Sequence, residues 1–249
     1  MFDEGEGPPI VVIPGIQGRW EWMRPALRAL ARRCRTISAS LRTATTLDDL
    51  AAQVDGMLAD RGLASAAICG VSFGGLVALR YAASRRERTD ALAIVSAPSP
   101  SWQPSAQQAR YLARPWLSFP AFVASSPFRL WPEIRTAFGS RGGRIRFAAT
   151  HLARIASAPT TPADMAGRMR LITGEDLCAD CARVTAPTLV VTGEPHLDRV
   201  IPVRSTCEYT RLIAGARYAM MDRTGHIGLV TQPERFARIV GDFVHASHS

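Results

Sequence analysis

The sequence predicts an α/β fold: a mostly parallel central sheet flanked by helices, interrupted by one helical insertion. Three observations carry this. Six short apolar runs, Ile10–Ile13, Thr36–Ala39, Ala66–Cys69, Ala91–Ser96, Thr188–Thr192 and Tyr218–Met221, mostly alternate with stretches of helical spacing, the pattern of right-handed βαβ crossovers. The segment from about Pro98 to Val184 has no strand pattern of its own. A Gly-x-Ser-x-Gly turn, Gly70-Val71-Ser72-Phe73-Gly74, followed by Gly75, stands where a strand-like run meets a helical one. At 249 residues the chain accommodates one core and one insertion. The expected division is a core of residues 1–97 and 185–249 with an insertion over 98–184.

Taken in order, Ile10–Ile13 is the first central strand and runs into Pro14-Gly15-Ile16-Gln17-Gly18, where glycines let backbone amides face a ligand. Thr36–Ala39 is the second, and the chain then passes straight into a helix beginning near Asp48. Ala66–Cys69 leads to Ser72, and Gly75 to Ala83 has the apolar spacing and alanine content of a packed helix. A serine on so sharp a turn sits at strained backbone angles with neighbouring chains close by, so residues without a Cβ suit Gly70 and Gly74. Ser72 is the candidate nucleophile.

A nucleophilic serine needs a base, an acid to orient it and an oxyanion site, and on this type of turn the chain order is Ser, acid, His. Of the five histidines, His245 and His248 lie in a polar tail, His151 in an Arg-rich helical stretch and His196 in a loop. His226 differs, because Thr224-Gly225-His226-Ile227-Gly228 follows a strand-like run and can reach a neighbouring strand end. The acid is sought after Pro187 to Gly193, a buried strand ending in glycine. Three acids follow, Glu194, Asp198 and, much later, Glu208; Asp198 is preferred, leading a loop that returns to a helix, and Glu194, directly after the strand, is the rival. Backbone amides of Phe73 and Ile16 are the expected oxyanion donors, with Gln17 as an additional side-chain donor.

These segments resemble the α/β-hydrolase fold superfamily, in its serine-esterase-like branch with a helical lid. The likeness covers nearly the whole chain: Ile10 to Gly18, Gly70 to Gly75, Pro187 to Pro202, and the His226 loop with Gln232-Pro233-Glu234-Arg235-Phe236. It implies that Ser72, Asp198 and His226 take the triad roles. Three departures stand out. Pro14-Gly15 replaces the usual His-Gly, a Gly-x-Gly-x-Ser loop after the second central strand is missing, and the spacing from Gly193 to Asp198 is longer than the commonest pattern. The chain also starts directly at what would be the family's third strand, so an opening antiparallel hairpin is expected to be absent.

The insertion is expected to form a helical lid over Ser72. Residues 101–174 hold ten Arg against Glu133 and Asp164, a net of +8 out of +9 for the chain. They also hold nine of the eighteen aromatic residues, among them Trp102, Trp116, Phe119, Phe122 and Trp131, which are candidate pocket residues for an apolar acyl or ring substrate. Packing of the lid helices against one another accounts for most of these rings. The basic lid suggests an anionic substrate or acyl carrier drawn in by its field. All 30 basic residues are Arg and none is Lys, however, a pattern of coding bias more than of a partner. No nucleic-acid recognition pattern accompanies the charge. Five Cys, an odd number, fit a reducing compartment, and Cys178-x-x-Cys181 has no second pair to complete a metal site, so no metal or cofactor is expected. The acidic start lacks an apolar signal core and no run is long enough to span a membrane, which reads as a cytoplasmic protein.

The expected function is hydrolysis of carboxylic esters or related acyl compounds through a Ser-His-Asp triad and an acyl-enzyme. Two alternatives stay open: an acyltransferase or thioesterase acting on an anionic carrier-linked acyl group, and a non-catalytic small-molecule receptor on the same scaffold.

Overall fold

The computed structural model describes residues 1–248. In chain order its elements are β1 (Phe2–Glu4), β2 (Pro9–Ile13), α1 (Arg24–Leu30), β3 (Arg35–Ser38), α2 (Leu47–Ala59), β4 (Ala66–Val71), α3 (Phe73–Ser84) and β5 (Thr89–Val95). There follow α4 (Ala106–Ala113), α5 (Pro115–Ala137), α6 (Arg141–Ser157), α7 (Pro162–Leu171), α8 (Leu177–Arg183), β6 (Thr188–Thr192), α9 (Val203–Cys207), α10 (Tyr209–Leu212), β7 (Arg217–Met220), α11 (Gly228–Thr231) and α12 (Pro233–Ser247).

The strands form one seven-stranded sheet in the order β1-β3-β2-β4-β5-β6-β7, parallel except at β1. All six residues of β4 are buried because both faces of the sheet are covered, the usual condition of a parallel strand. Alternate side chains divide between two cores. Ile68 packs with α2 and α3 residues such as Leu50, Val54 and Leu76, whereas Ala67 and Cys69 pack with Leu27 and Leu30 of α1 and Phe236 and Val240 of α12. Thr46 caps α2 by accepting the Asp49 amide while the Asp49 side chain accepts the Thr46 amide, so this helix starts within two residues of the expected position.

The six expected strands are all present, with ends displaced by a residue or two. One expectation needs correction. The chain does not open on the first central strand, because Phe2–Glu4 pairs antiparallel with β3, Phe2 lying opposite Ser38. Only Phe2 of the three is buried, against Trp20, while Asp3 pairs with Arg35 and Arg61. A three-residue strand with one apolar side chain has no periodicity to detect. It forms because β3 would otherwise leave its edge unpaired.

Between β5 and β6 the chain is wholly helical, from α4 to α8. The last of these helices packs as a core element: Leu177 and Cys181 join the α3 side of the sheet, and the buried Asp180 accepts from Arg80 of α3 at 2.6 Å. No helix among the described residues is long and apolar enough to cross a membrane.

Candidate functional site

Ser72 is the residue between β4 and α3, and its backbone lies at φ 54°, ψ −122°, a region costly for a side-chain-bearing residue. The surroundings impose it. The Ser72 amide donates to Val95 O at 2.8 Å, and the Ser72 carbonyl accepts from Gly75 at 2.9 Å. A Cβ on Gly70 would run into the Gly74 backbone, and one on Gly74 would meet the Ile13 carbonyl and, at 2.6 Å, that of Pro14. The turn can therefore approach the end of β2 only without side chains at those two positions.

That approach sets the Pro14–Gly18 loop beside the serine, where a Cβ on Gly15 would stand 3.4 Å from Ser72 Cβ. Gly18 closes the loop by donating to Gly15 O at 2.8 Å. Among the described residues, neither the Phe73 nor the Ile16 amide enters a turn hydrogen bond. Gln17 is partly exposed on the same loop, with its Oε1 turned back towards Gly15. The Ile16 carbonyl accepts from Arg168 of α7 at 3.0 Å, and the same guanidinium donates to Leu41 O at 3.2 Å. Burial holds the Arg168 guanidinium below the ordinary arginine range, with the nearby Arg19 acting in the same sense against Asp164.

On the opposite side of the sheet centre, β6 delivers Asp198 and β7 delivers His226. Gly193 ends β6 so close to the next loop that a Cβ there would lie 2.6 Å from the carbonyls of Thr224 and Gly225. Asp198 Oδ2 lies 3.3 Å from His226 Nδ1, and Asp198 Oδ1 accepts the amides of Val200 and Ile201 at 3.0 and 2.9 Å. The Asp198 side chain is 1% exposed and that of His226 14%. Glu194 is turned elsewhere: it accepts the Arg223 amide at 2.6 Å and lies 3.4 Å from His196 Nε2. The structure thus brings Asp198, and not Glu194, to His226. Among the described residues Ser72 Oγ takes part in no hydrogen bond, so the link from His226 to Ser72 is not closed.

The aromatic residues expected around the substrate are dispersed. Trp102 packs against the core on the α3 side. Phe119 and Phe122 stack at 6.3 Å, Phe122 also meets Tyr111, and Arg129 lies over the Phe122 ring. Trp116 and Trp131 face solvent, 64% and 48% exposed. Helical spacing places rings on faces but does not say which face turns towards the sheet.

Two functional candidates escaped the sequence reading: Arg168, described above, and Glu133. Glu133 of α5 is 1% exposed, and it accepts the Ile227 amide at 3.0 Å and the Thr231 hydroxyl at 2.9 Å. Burial raises its carboxyl above the ordinary glutamate range, opposed by the Ile227 and Gly225 amides, the Thr231 hydroxyl and the charge of His226. The sequence signal that could have found it is its isolation as one of two acids among ten arginines. Beside the β2 and β3 ends lies a cavity of about 300 Å³ bordered by Arg19, Arg42, Arg168 and Asp164.

A parallel sheet with a strained serine after its central strand and an Asp–His pair at neighbouring strand ends defines a class, and comparison with known proteins agrees with it. Residues 10–239 match the model of the alpha/beta hydrolase family, to which this chain belongs. It is 24% identical to 3-oxoadipate enol-lactonase 1 of Acinetobacter baylyi, over 96% of this chain and 90% of that protein. It is 25% identical to the pimeloyl-[acyl-carrier protein] methyl ester esterase of Nitrosomonas europaea, over 93% and 94% respectively. Among solved structures, the enol-lactonase from Burkholderia xenovorans LB400 superposes with a TM-score of 0.81 at 21% identity, covering 98% of this chain and 95% of that one.

Proposed function

We propose that this protein is a serine hydrolase cleaving carboxylic esters or related acyl compounds, with Ser72 as nucleophile, His226 as base and Asp198 as its orienting acid. The observation that carries the reading is the Asp198–His226 pair, 3.3 Å apart, on loops that follow parallel strands β6 and β7 at the same end of the sheet as a serine held at φ 54° after β4. With Nδ1 facing Asp198, the other imidazole nitrogen is free to take the Ser72 proton as Oγ attacks the carbonyl carbon. The resulting oxyanion sits against the Phe73 and Ile16 amides. Collapse expels the alcohol, which receives the proton from His226. Water, deprotonated by His226, then attacks the acyl-enzyme and releases the acid. Helices α4 to α7 serve as the lid. That two of the curated relatives this chain matches are named as a lactonase and a methyl ester esterase supports an ester-type bond, while two others are named as putative carbamate hydrolases.

The test is release of p-nitrophenol from esters of increasing acyl length, with Ser72→Ala in parallel. Turnover is expected to fall by at least about 10³-fold in the variant, and full activity in Ser72→Ala would refute the assignment.

A second reading concerns the substrate. The cavity bordered by Arg19, Arg42 and Arg168 against the single acid Asp164 is net positive and favours an anionic group, on a carboxylated ester or a carrier-linked acyl chain, at the β3 side of the site. Matched neutral and carboxylated esters hydrolysed at equal rates with equal salt response would remove it.

A further inference from the structure

We infer that Glu133, carried on the inserted helix α5, is a positioning residue for His226, and that through it the inserted helices form part of the catalytic framework. This inference rests on the serine-hydrolase reading. A carboxylate 1% exposed is an expensive way to pack a helix, and an apolar side chain of similar size would fill the same space without the desolvation cost. Here both oxygens are engaged, and by one loop. Oε2 accepts the amide of Ile227, the residue after the histidine, and Oε1 accepts the hydroxyl of Thr231 at the end of α11. The amide of Gly225, the residue before the histidine, acts on the carboxylate in the same sense. A Cβ on Gly225 would stand 2.9 Å from Oε2, so the glycine permits the approach. The backbone just after the imidazole is therefore held by a single side chain from the insertion, which also lies against Gly225 just before it.

A second tether runs between the same two elements. The Arg223 guanidinium donates to the Thr136 carbonyl of α5 at 2.7 Å, and Ile134, next to Glu133, is buried in the core that Ile227 also touches. Movement of α5 must therefore carry the histidine loop with it.

The carboxylate also supplies charge. An anion beside His226 favours the imidazolium that forms when the base accepts the serine proton. The other charged groups facing this loop are already engaged. Asp198 holds Nδ1, Glu194 accepts the Arg223 amide and faces His196, and Arg223 reaches across to α5.

The experiment reads the rate at which a fluorophosphonate probe phosphonylates Ser72, a reaction that needs no knowledge of the substrate. Wild type, Glu133→Gln and Glu133→Asp are compared between pH 5 and 8, with Tm recorded for each. Glu133→Gln removes the charge and is expected to slow labelling at least about tenfold at pH 8, and to move the acid limb of the profile to lower pH. Glu133→Asp keeps the charge, and is expected to label slowly with its acid limb where wild type has it; it also serves if the Gln variant fails to fold. Wild-type labelling rates in both variants would overturn the inference. So would slowing that tracks lost Tm and leaves both acid limbs in place, since that is a purely structural role. If wild type itself is not labelled while Ser72→Ala behaves identically, the hydrolase reading falls and takes the inference with it.

Discussion

Oδ2 of Asp198 lies 3.3 Å from Nδ1 of His226, and Oδ1 of the same carboxylate is held by the amides of Val200 and Ile201. The carboxylate is thus oriented by its own loop as well as by the histidine. Glu194 instead accepts the Arg223 amide and faces His196.

Replacing Asp198 with Asn keeps the shape and removes the charge that stabilises the imidazolium. Ester turnover is expected to fall by on the order of 10³-fold or more. Glu194→Gln, which keeps an acceptor for Arg223, is expected to lose less than about tenfold. Steady-state kinetics on one p-nitrophenyl ester decides it, and the reverse ranking would transfer the acid role to Glu194.

The strain at Ser72 has its own signature in stability. Glycine tolerates φ 54° and alanine does not, so Ser72→Gly should be more stable than Ser72→Ala by about 1 kcal/mol. Gly74→Ala forces a Cβ against the Ile13 and Pro14 carbonyls and should cost about 2 kcal/mol or more. Urea denaturation of the three variants measures both differences.

His151 of α6 stacks on Phe147 at 5.5 Å, and its Nδ1 is buried without a partner. Burial, with Arg154 nearby, lowers its pKa from 6.5 to about 4. Between those values the unfolded chain binds a proton that the folded chain does not. Its contribution is therefore intact above pH 6.5 and is lost as the pH falls towards 4, to an extent of about 3 kcal/mol. His151→Phe should flatten this part of the stability profile, measured by urea unfolding at pH 7 and pH 5, and an unchanged slope would contradict it.

The sheet and its turn were legible because their signals are local. Ile10–Ile13 and Ala66–Cys69 are apolar runs of strand length, and Gly70 and Gly74 frame Ser72 wherever the turn sits in space. Phe2–Glu4 was not legible, since its pairing depends on the free edge of β3 and only one of its residues is apolar. Trp116 and Trp131 could be counted from the sequence, but their exposure depends on how α5 rotates against its neighbours.

By itself the sequence determined the order of strands and helices, the strained serine turn and the short set of acids and histidines that could serve it, because period and glycine placement act between residues close along the chain. Only the tertiary structure decided that Asp198 rather than Glu194 meets His226, that Arg168 holds the Ile16 carbonyl, and that Glu133 grips the histidine loop from 94 positions away. Those choices rest on contacts between segments distant in sequence, where one carboxylate or guanidinium is buried only if a particular backbone amide or carbonyl is there to receive it.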